Sequence, residues 1–101
     1  MQFDCTRAGG PTELLKVAAM AAVRHIQIAP HHDPQIHGHI VAAVPNGLIL
    51  ETFPDSARYP IWGELFTVRP EIKNNQIVFP EDRPGWGLEL DEKVLQKRAV
   101  K

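Results

Sequence analysis

Short apolar runs alternate with helix-patterned stretches through the first half of the chain, and a polar residue closes each run. Met1-Gln2-Phe3 leads to Asp4, Ile26-Gln27-Ile28-Ala29 leads to His31, and Leu48-Ile49-Leu50 leads to Glu51. After the first run, Gly9-Gly10 makes a loose turn. Pro11 then suits the first helical position, where its missing N–H has no intrahelical partner to lose. The spacing predicts a helix over residues 12–23. Leu14, Ala18 and Ala22 form one stripe, Leu15 and Ala19 widen it, and Glu13, Lys16 and Arg24 keep polar contact. So many alanines suggest close packing against a sheet.

The second strand is predicted over residues 25–29, ending at Pro30. Asp33-Pro34 follows as an N-cap with proline at N1, and Ile36 and Ile40 share one face of a short helix. Pro45 and Asn46-Gly47 stop that helix and turn the chain into the third run. Continuous apolar strands between helices indicate a buried parallel sheet. The order is therefore β-α-β-α-β, with Asp4, His31 and Glu51 about one strand–helix repeat apart. That puts three polar side chains at the carboxyl ends of successive strands, where parallel α/β folds keep their chemistry.

From Phe53 onward the pattern breaks up. Five of the nine prolines (Pro54, Pro60, Pro70, Pro80 and Pro84) fall in this stretch and argue against long regular elements. One hairpin is predicted, with Ile72 on one arm and Ile77 and Phe79 on the other. Asn74-Asn75 between them can take the positive φ of a tight turn. Pro84-Gly85 marks a further turn, and Asp91 caps a short final helix containing Val94 and Leu95. Residues 1–53 thus form the strand–helix part, and residues 54–101 a tail laid over another surface.

Composition narrows the function classes. The 101 residues make one domain at most, and 44% hydrophobic with 23% charged residues is ordinary globular usage. A net charge of -1 without a basic cluster gives no electrostatic case for nucleic acid or an anionic membrane. Cys5 is the single cysteine, so there is no disulfide framework, and a reducing cytoplasm is the expected setting. The amino terminus carries Asp4 and Arg7 and lacks a signal-peptide apolar core. The longest apolar stretch, Val17 to Val23, falls far short of the roughly 20 residues needed to cross a bilayer.

Several of these segments carry a family resemblance. Asp4-Cys5-Thr6-Arg7-Ala8-Gly9-Gly10-Pro11-Thr12, then Pro30-His31, then Ala42-Ala43-Val44-Pro45-Asn46, then Leu50-Glu51 resemble the carboxyl-terminal part of the mandelate racemase/muconate lactonizing enzyme family of the enolase superfamily. Pro84-Gly85-Trp86-Gly87-Leu88-Glu89-Leu90-Asp91 is similar to the tail that returns from that family's barrel toward its capping domain. The resemblance covers essentially the whole chain and is specific for family, not for substrate. It implies an α/β fold matching the last three strand–helix units of a TIM-like (β/α)₇β barrel, followed by a tail with a short hairpin and a terminal helix.

The resemblance also implies roles. Asp4 falls where mandelate-racemase-like members have the aspartate closing the sixth strand. Members of the lactonizing and dipeptide-epimerase type have lysine there, so aspartate favours the racemase/dehydratase branch. His31 falls on that branch's catalytic histidine at the end of the seventh strand. Glu51 falls on the acidic residue of the eighth, which contacts the substrate carboxylate. The implied chemistry is proton abstraction alpha to the carboxylate of a hydroxy acid or acid sugar, giving a Mg²⁺-stabilised enediolate and ending in dehydration or racemisation. Neighbouring strands are about 4.8 Å apart, so side chains at adjacent tips can meet. A carboxylate beside an imidazole fixes its tautomer for such proton transfer.

The family's metal ligands and its second base lie on strands two to five, outside this sequence. The expectation is a portion of an enzyme without autonomous activity, whose open sheet edges lead to self-association or to complementation by a separate barrel portion.

Plainer readings stand beside these. Asp4 as a turn cap, His31 as a surface loop histidine with His32 its rival, and Glu51 as the first solvated residue after a strand are the alternatives. For Arg7 a salt bridge, for Cys5 a small buried side chain, and for Trp62 and Trp86 packing within the tail are preferred. A different class altogether is a small metal-binding protein using His31, His32, Asp33, His37 and His39. Against it, His37 and His39 are about 200° apart around a helix, and neither Cys-x-x-Cys nor His-Glu-x-x-His is present.

Overall fold

The structure is a computed structural model describing residues 1–53 and 60–100. Pro54 and the side chain of Trp62 lie outside what it describes. The chain forms two compact units, Met1–Thr52 and Phe53–Lys101.

In the first unit the two expected helices are present, and extended segments with short parallel pairing stand where the strands were expected. Helix α1 spans Gly10–Val23 and α2 spans Pro34–Ala43. Three extended segments flank them, and residues 26–31 lie in the middle. On one side Met1 N donates to Gln27 O, Ala29 N to Met1 O at 2.9 Å, and His31 N to Phe3 O at 3.0 Å. On the other, Ile28 N donates to Asn46 O at 2.8 Å and Leu48 N to Ile28 O at 2.9 Å, a parallel bridge between Ile28 and Gly47. Both patterns, in which one residue bonds to two alternate residues of its neighbour, are those of parallel pairing. The ladders are short, and Pro30 contributes no donor to them.

Cys5, Leu14, Ala18, Ala21, Ile28 and Ile40 form the core, with Phe3, Ile36 and Val44 packed against it. Ile36 and Ile40 share the inward face of α2 as expected. The α1 stripe differs from the expected one. Leu15 is 47% exposed and Ala19 is exposed, whereas Ala21 is buried and Val17 half-buried, so the apolar face is widened on its other flank. The third apolar run is not buried either, with Leu48 51% and Ile49 62% exposed. Its described hydrogen-bonded neighbour is the central segment, and one backbone ladder covers neither side-chain face.

His25 is not the first strand residue. It has φ 55°, His25 N bonds Ala22 O at 3.0 Å, and Ile26 N bonds Ala21 O at 2.9 Å. These paired bonds close α1 as a Schellman motif with histidine in the position glycine usually takes, so extension begins one residue later. Asp33 occupies the predicted N-cap position before Pro34, but in the left-handed region (φ 45°, ψ 55°) and without a side-chain cap bond.

Two residues of the predicted turn set how the layers meet. Asn46 Nδ2 donates to Ala18 O at 2.9 Å and to Ile26 O at 3.0 Å, tying α1 to the central segment. At Gly47 a Cβ would lie 2.2 Å from Val41 O, so the chain passes α2 too closely for any side chain.

The second unit contains α3 (Pro60–Leu65), β1 (Phe66–Val68), β2 (Glu71–Lys73), β3 (Gln76–Val78), β4 (Glu89–Leu90) and α4 (Glu92–Arg98). The β2–β3 hairpin is the predicted one: Ile72 pairs with Ile77, and Asn74 and Asn75 have φ 51° and 60°. Gly85, at φ 64°, lies in the predicted turn. Asp91 caps α4, its Oδ1 accepting from Lys93 N at 2.9 Å and Val94 N at 3.2 Å. Helix α3 and the antiparallel β1–β4 pair were not expected from the proline-rich pattern. Pro60 begins α3, where proline is tolerated. Among the described residues no helix is long and apolar enough to cross a membrane.

Candidate active site

The first extended segment ends at Asp4, and the turn that follows folds back onto it. Asp4 O accepts from Ala8 N at 3.1 Å, and Asp4 Oδ1 accepts from Thr6 N at 2.9 Å and from Thr6 Oγ1 at 2.6 Å. Asp4 is thus a turn cap. It is also more than that, because its second oxygen faces another segment. Oδ2 lies 3.4 Å from His31 Nδ1 and 3.3 Å from Arg7 Nε. Capping through Oδ1 fixes the carboxylate's orientation and leaves Oδ2 for the imidazole, so the two readings of Asp4 are compatible.

The other nitrogen of His31, Nε2, lies 3.8 Å from Glu51 Oε2. Glu51 Oε2 in turn accepts from His32 N at 3.1 Å and from Gln2 Nε2 at 3.4 Å. Asp4, His31 and Glu51 therefore converge on one rim, as the strand-end pattern predicted, with a carboxylate at each ring nitrogen of the central histidine. His31 and Glu51 remain partly open to solvent, whereas Asp4 is mostly covered.

His32 is held by a different carboxylate. It takes φ 55°, and its Nδ1 lies 3.1 Å from Asp33 Oδ1. Asp33, almost fully buried, also receives Gln35 Nε2 at 3.3 Å and lies 3.1 Å from Thr6 Oγ1. One hydroxyl proton cannot serve two carboxylates at once, and the shorter contact assigns it to Asp4. Arg7, largely exposed, makes the ion pair expected of it.

Electrostatics follow from these contacts. Burial pushes the Asp4 carboxyl upward, but the Thr6 hydroxyl and amide and the His31 ring outweigh it, and the group titrates below the ordinary 3.8. Burial raises the Cys5 thiol, and the charges of Asp4 and Asp33 raise it further. With 3% exposure, Cys5 is a packing residue and not a nucleophile.

Thr6, Asp33 and His37 are the residues that sequence reasoning passed over. Thr6 sat unremarked within a quoted motif, Asp33 was assigned to a cap, and His37 entered only as a metal-ligand candidate. His37 is instead fully buried, with Nε2 accepting from Cys5 N at 3.1 Å and Nδ1 2.6 Å from His32 O. Among the described residues no group of three or more His, Cys, Asp or Glu side chains is placed to hold a metal ion.

Residues 1–94 match the family model described as enolase C-terminal domain-like. The chain is 32% identical to a D-xylonate dehydratase of Haloferax volcanii over 102 residues, covering 96% of the chain and 24% of that enzyme. A mandelate racemase/muconate lactonizing enzyme from a marine actinobacterium, solved in complex with magnesium, superposes with a TM-score of 0.84 at 33% identity, over 99% of this chain and 28% of that one. L-Talarate dehydratase from Polaromonas sp. JS666, solved with Mg and L-glucarate, gives a TM-score of 0.77 at 32% identity, over 94% and 25%. The chain spans about a quarter of the length of the curated relatives it matches.

Proposed function

The chain belongs to the enolase C-terminal domain-like family, that of the mandelate racemase/muconate lactonizing enzymes, and on that premise we propose that it carries the acid–base histidine of an acid-sugar dehydratase. The observation that carries this reading is the placement of His31 between two carboxylates, with Asp4 Oδ2 at 3.4 Å from Nδ1 and Glu51 Oε2 at 3.8 Å from Nε2.

An anionic Asp4 accepts the Nδ1 proton of His31 and so leaves Nε2 as the nitrogen that exchanges protons with a reactant. In dehydration, Nε2 removes the proton on the carbon next to the carboxylate and returns one to the departing hydroxyl. In racemisation, the same nitrogen removes or restores the proton on the carbon next to the carboxylate. General acid–base catalysis of this kind contributes on the order of 10² to 10⁴ in rate. Glu51 lies beyond direct hydrogen-bond reach of the ring, and a substrate oxygen set to one side of the Nε2–Oε2 line can reach both. The relatives' names supply the substrate class, a sugar acid with a carboxylate and neighbouring hydroxyls. Relatives solved with magnesium point to a divalent cation in the complete enzyme. Among this chain's described residues no group of three or more His, Cys, Asp or Glu side chains is placed to hold it.

Catalysis then requires the remainder of a barrel, whether in one polypeptide or as a separate chain, and the tail packs toward the capping domain. The exposed apolar side chains of Val23, Leu48 and Ile49 support this, because the apolar runs of a strand–helix repeat are normally covered on both faces. The test combines this chain with a D-xylonate dehydratase truncated before the matching quarter, and follows α-proton exchange of sugar acids in D₂O by NMR. Exchange that appears only in the mixture, and disappears with His31→Asn, is the expected result. Exchange unchanged by His31→Asn would remove His31 from the role.

A further inference from the structure

The ladder between residues 1–4 and 26–31 has its last described backbone rung at His31 N to Phe3 O, 3.0 Å. Beyond it both chains turn away. Residues 5–9 form a turn, and His32 and Asp33 adopt φ 55° and 45°. The amide after Asp4 and the carbonyl after His31 therefore do not bond each other. The imidazole of His37, from the first turn of α2, stands between them. Cys5 N donates to Nε2 at 3.1 Å, and Nδ1 meets His32 O at 2.6 Å. A backbone amide only donates and a carbonyl only accepts, so the ring has one consistent state: a lone pair on Nε2 and the hydrogen on Nδ1. With 0% exposure, no solvent competes for either bond.

We propose that His37 is a positioning residue, a side-chain rung that continues the ladder past its backbone end and sets the approach of His31 to Asp4. This rests on the reading of Asp4 and His31 as the working pair. The two clamped backbone groups belong to the residues next to that pair, and His37 Nε2 also lies 3.9 Å from Asp4 Oδ1. A ring gripped at both nitrogens by main chain has no rotational freedom left. Its van der Waals width, not a flexible contact, then fixes the spacing of the two segments. Loss of the ring would also leave two buried backbone groups unpaired.

The test uses the ¹⁵N-labelled chain and long-range ring NMR, without turnover. In the unaltered protein His37 is expected as a single neutral tautomer protonated at Nδ1, with a scalar coupling from the Cys5 amide nitrogen to Nε2. A Nε2–H tautomer, or an averaged pair, overturns the proposal even if every variant fails to fold. In folded His37→Leu, the His31 ring is expected to lose its Nδ1–H preference and show the two-tautomer mixture of a free imidazole. His37→Gln, which keeps one donor and one acceptor, is expected to restore part of it. A purely structural role would lower the melting temperature and leave the His31 tautomer alone; that result also overturns the proposal. Failure of the His31→Asn exchange experiment would strike the acid–base assignment while leaving the His37 tautomer measurement intact.

Discussion

Thr6 grips one oxygen of Asp4 twice, by its amide at 2.9 Å and its hydroxyl at 2.6 Å. That double contact commits Oδ1 and leaves Oδ2 to His31. Thr6→Val removes the hydroxyl bond at nearly constant volume. The Asp4 carboxyl is then expected to titrate at higher pH than in the unaltered chain, read by side-chain ¹³C NMR. Thr6→Ser should keep the low midpoint. An Asp4 midpoint that stays put in the valine variant would mean the hydroxyl does not hold the anion.

The same carboxyl ties stability to acid. Its folded pKa lies below the ordinary 3.8, so the unfolded state binds the proton more tightly. The Asp4 contribution is fully present above the unfolded value and is lost as pH falls through the folded one. Urea midpoints measured from pH 5 downward should therefore fall more steeply for the unaltered chain than for Asp4→Asn, with the two curves converging at the acid end. Parallel curves would contradict the assignment.

Gly47→Ala should be among the most damaging single-methyl changes in the chain. The added Cβ would lie 2.2 Å from Val41 O, a backbone atom that cannot rotate aside. Overpacking of this kind costs about 3 kcal/mol, and the Ile28–Gly47 bridge would separate. Chemical denaturation should show the loss. A change below about 0.5 kcal/mol would show that α2 slides freely over this segment.

Asn46→Ala removes the side-chain donor that ties the Ala18 carbonyl of α1 to the Ile26 carbonyl of the central segment. The expected loss is about 2 kcal/mol, with faster hydrogen exchange at Ile28 N, which bonds Asn46 O. Asn46→Asp should be no better, since a carboxylate has no hydrogen to give either carbonyl.

Much of this was legible because its causes are local. Asp91 before a short amphipathic run is a cap wherever it occurs. Asn74-Asn75 between Ile72 and Ile77 has few conformations other than a tight turn. The convergence of Asp4, His31 and Glu51 was legible for a different reason: the tips of neighbouring parallel strands lie at one edge whatever the intervening helices do. What stayed hidden depends on partners that the local pattern does not specify. His25 looked like a strand residue because nothing in its neighbours announces a left-handed histidine closing α1. Leu15 and Ala19 fit the helix stripe as well as Val17 and Ala21 do, and only packing against Ile28 and Ile40 chooses between them. His37 gave no hint at all, since the amide it accepts from is 32 residues away.

Cys5 offers a use that its chemistry does not. Its sulfur is sealed beneath the Asp4 turn and kept protonated by burial and two adjacent carboxylates. Alkylating reagents can reach it only when the neighbourhood springs apart, so the rate of covalent tagging at this lone thiol becomes a clock that counts openings of the rim.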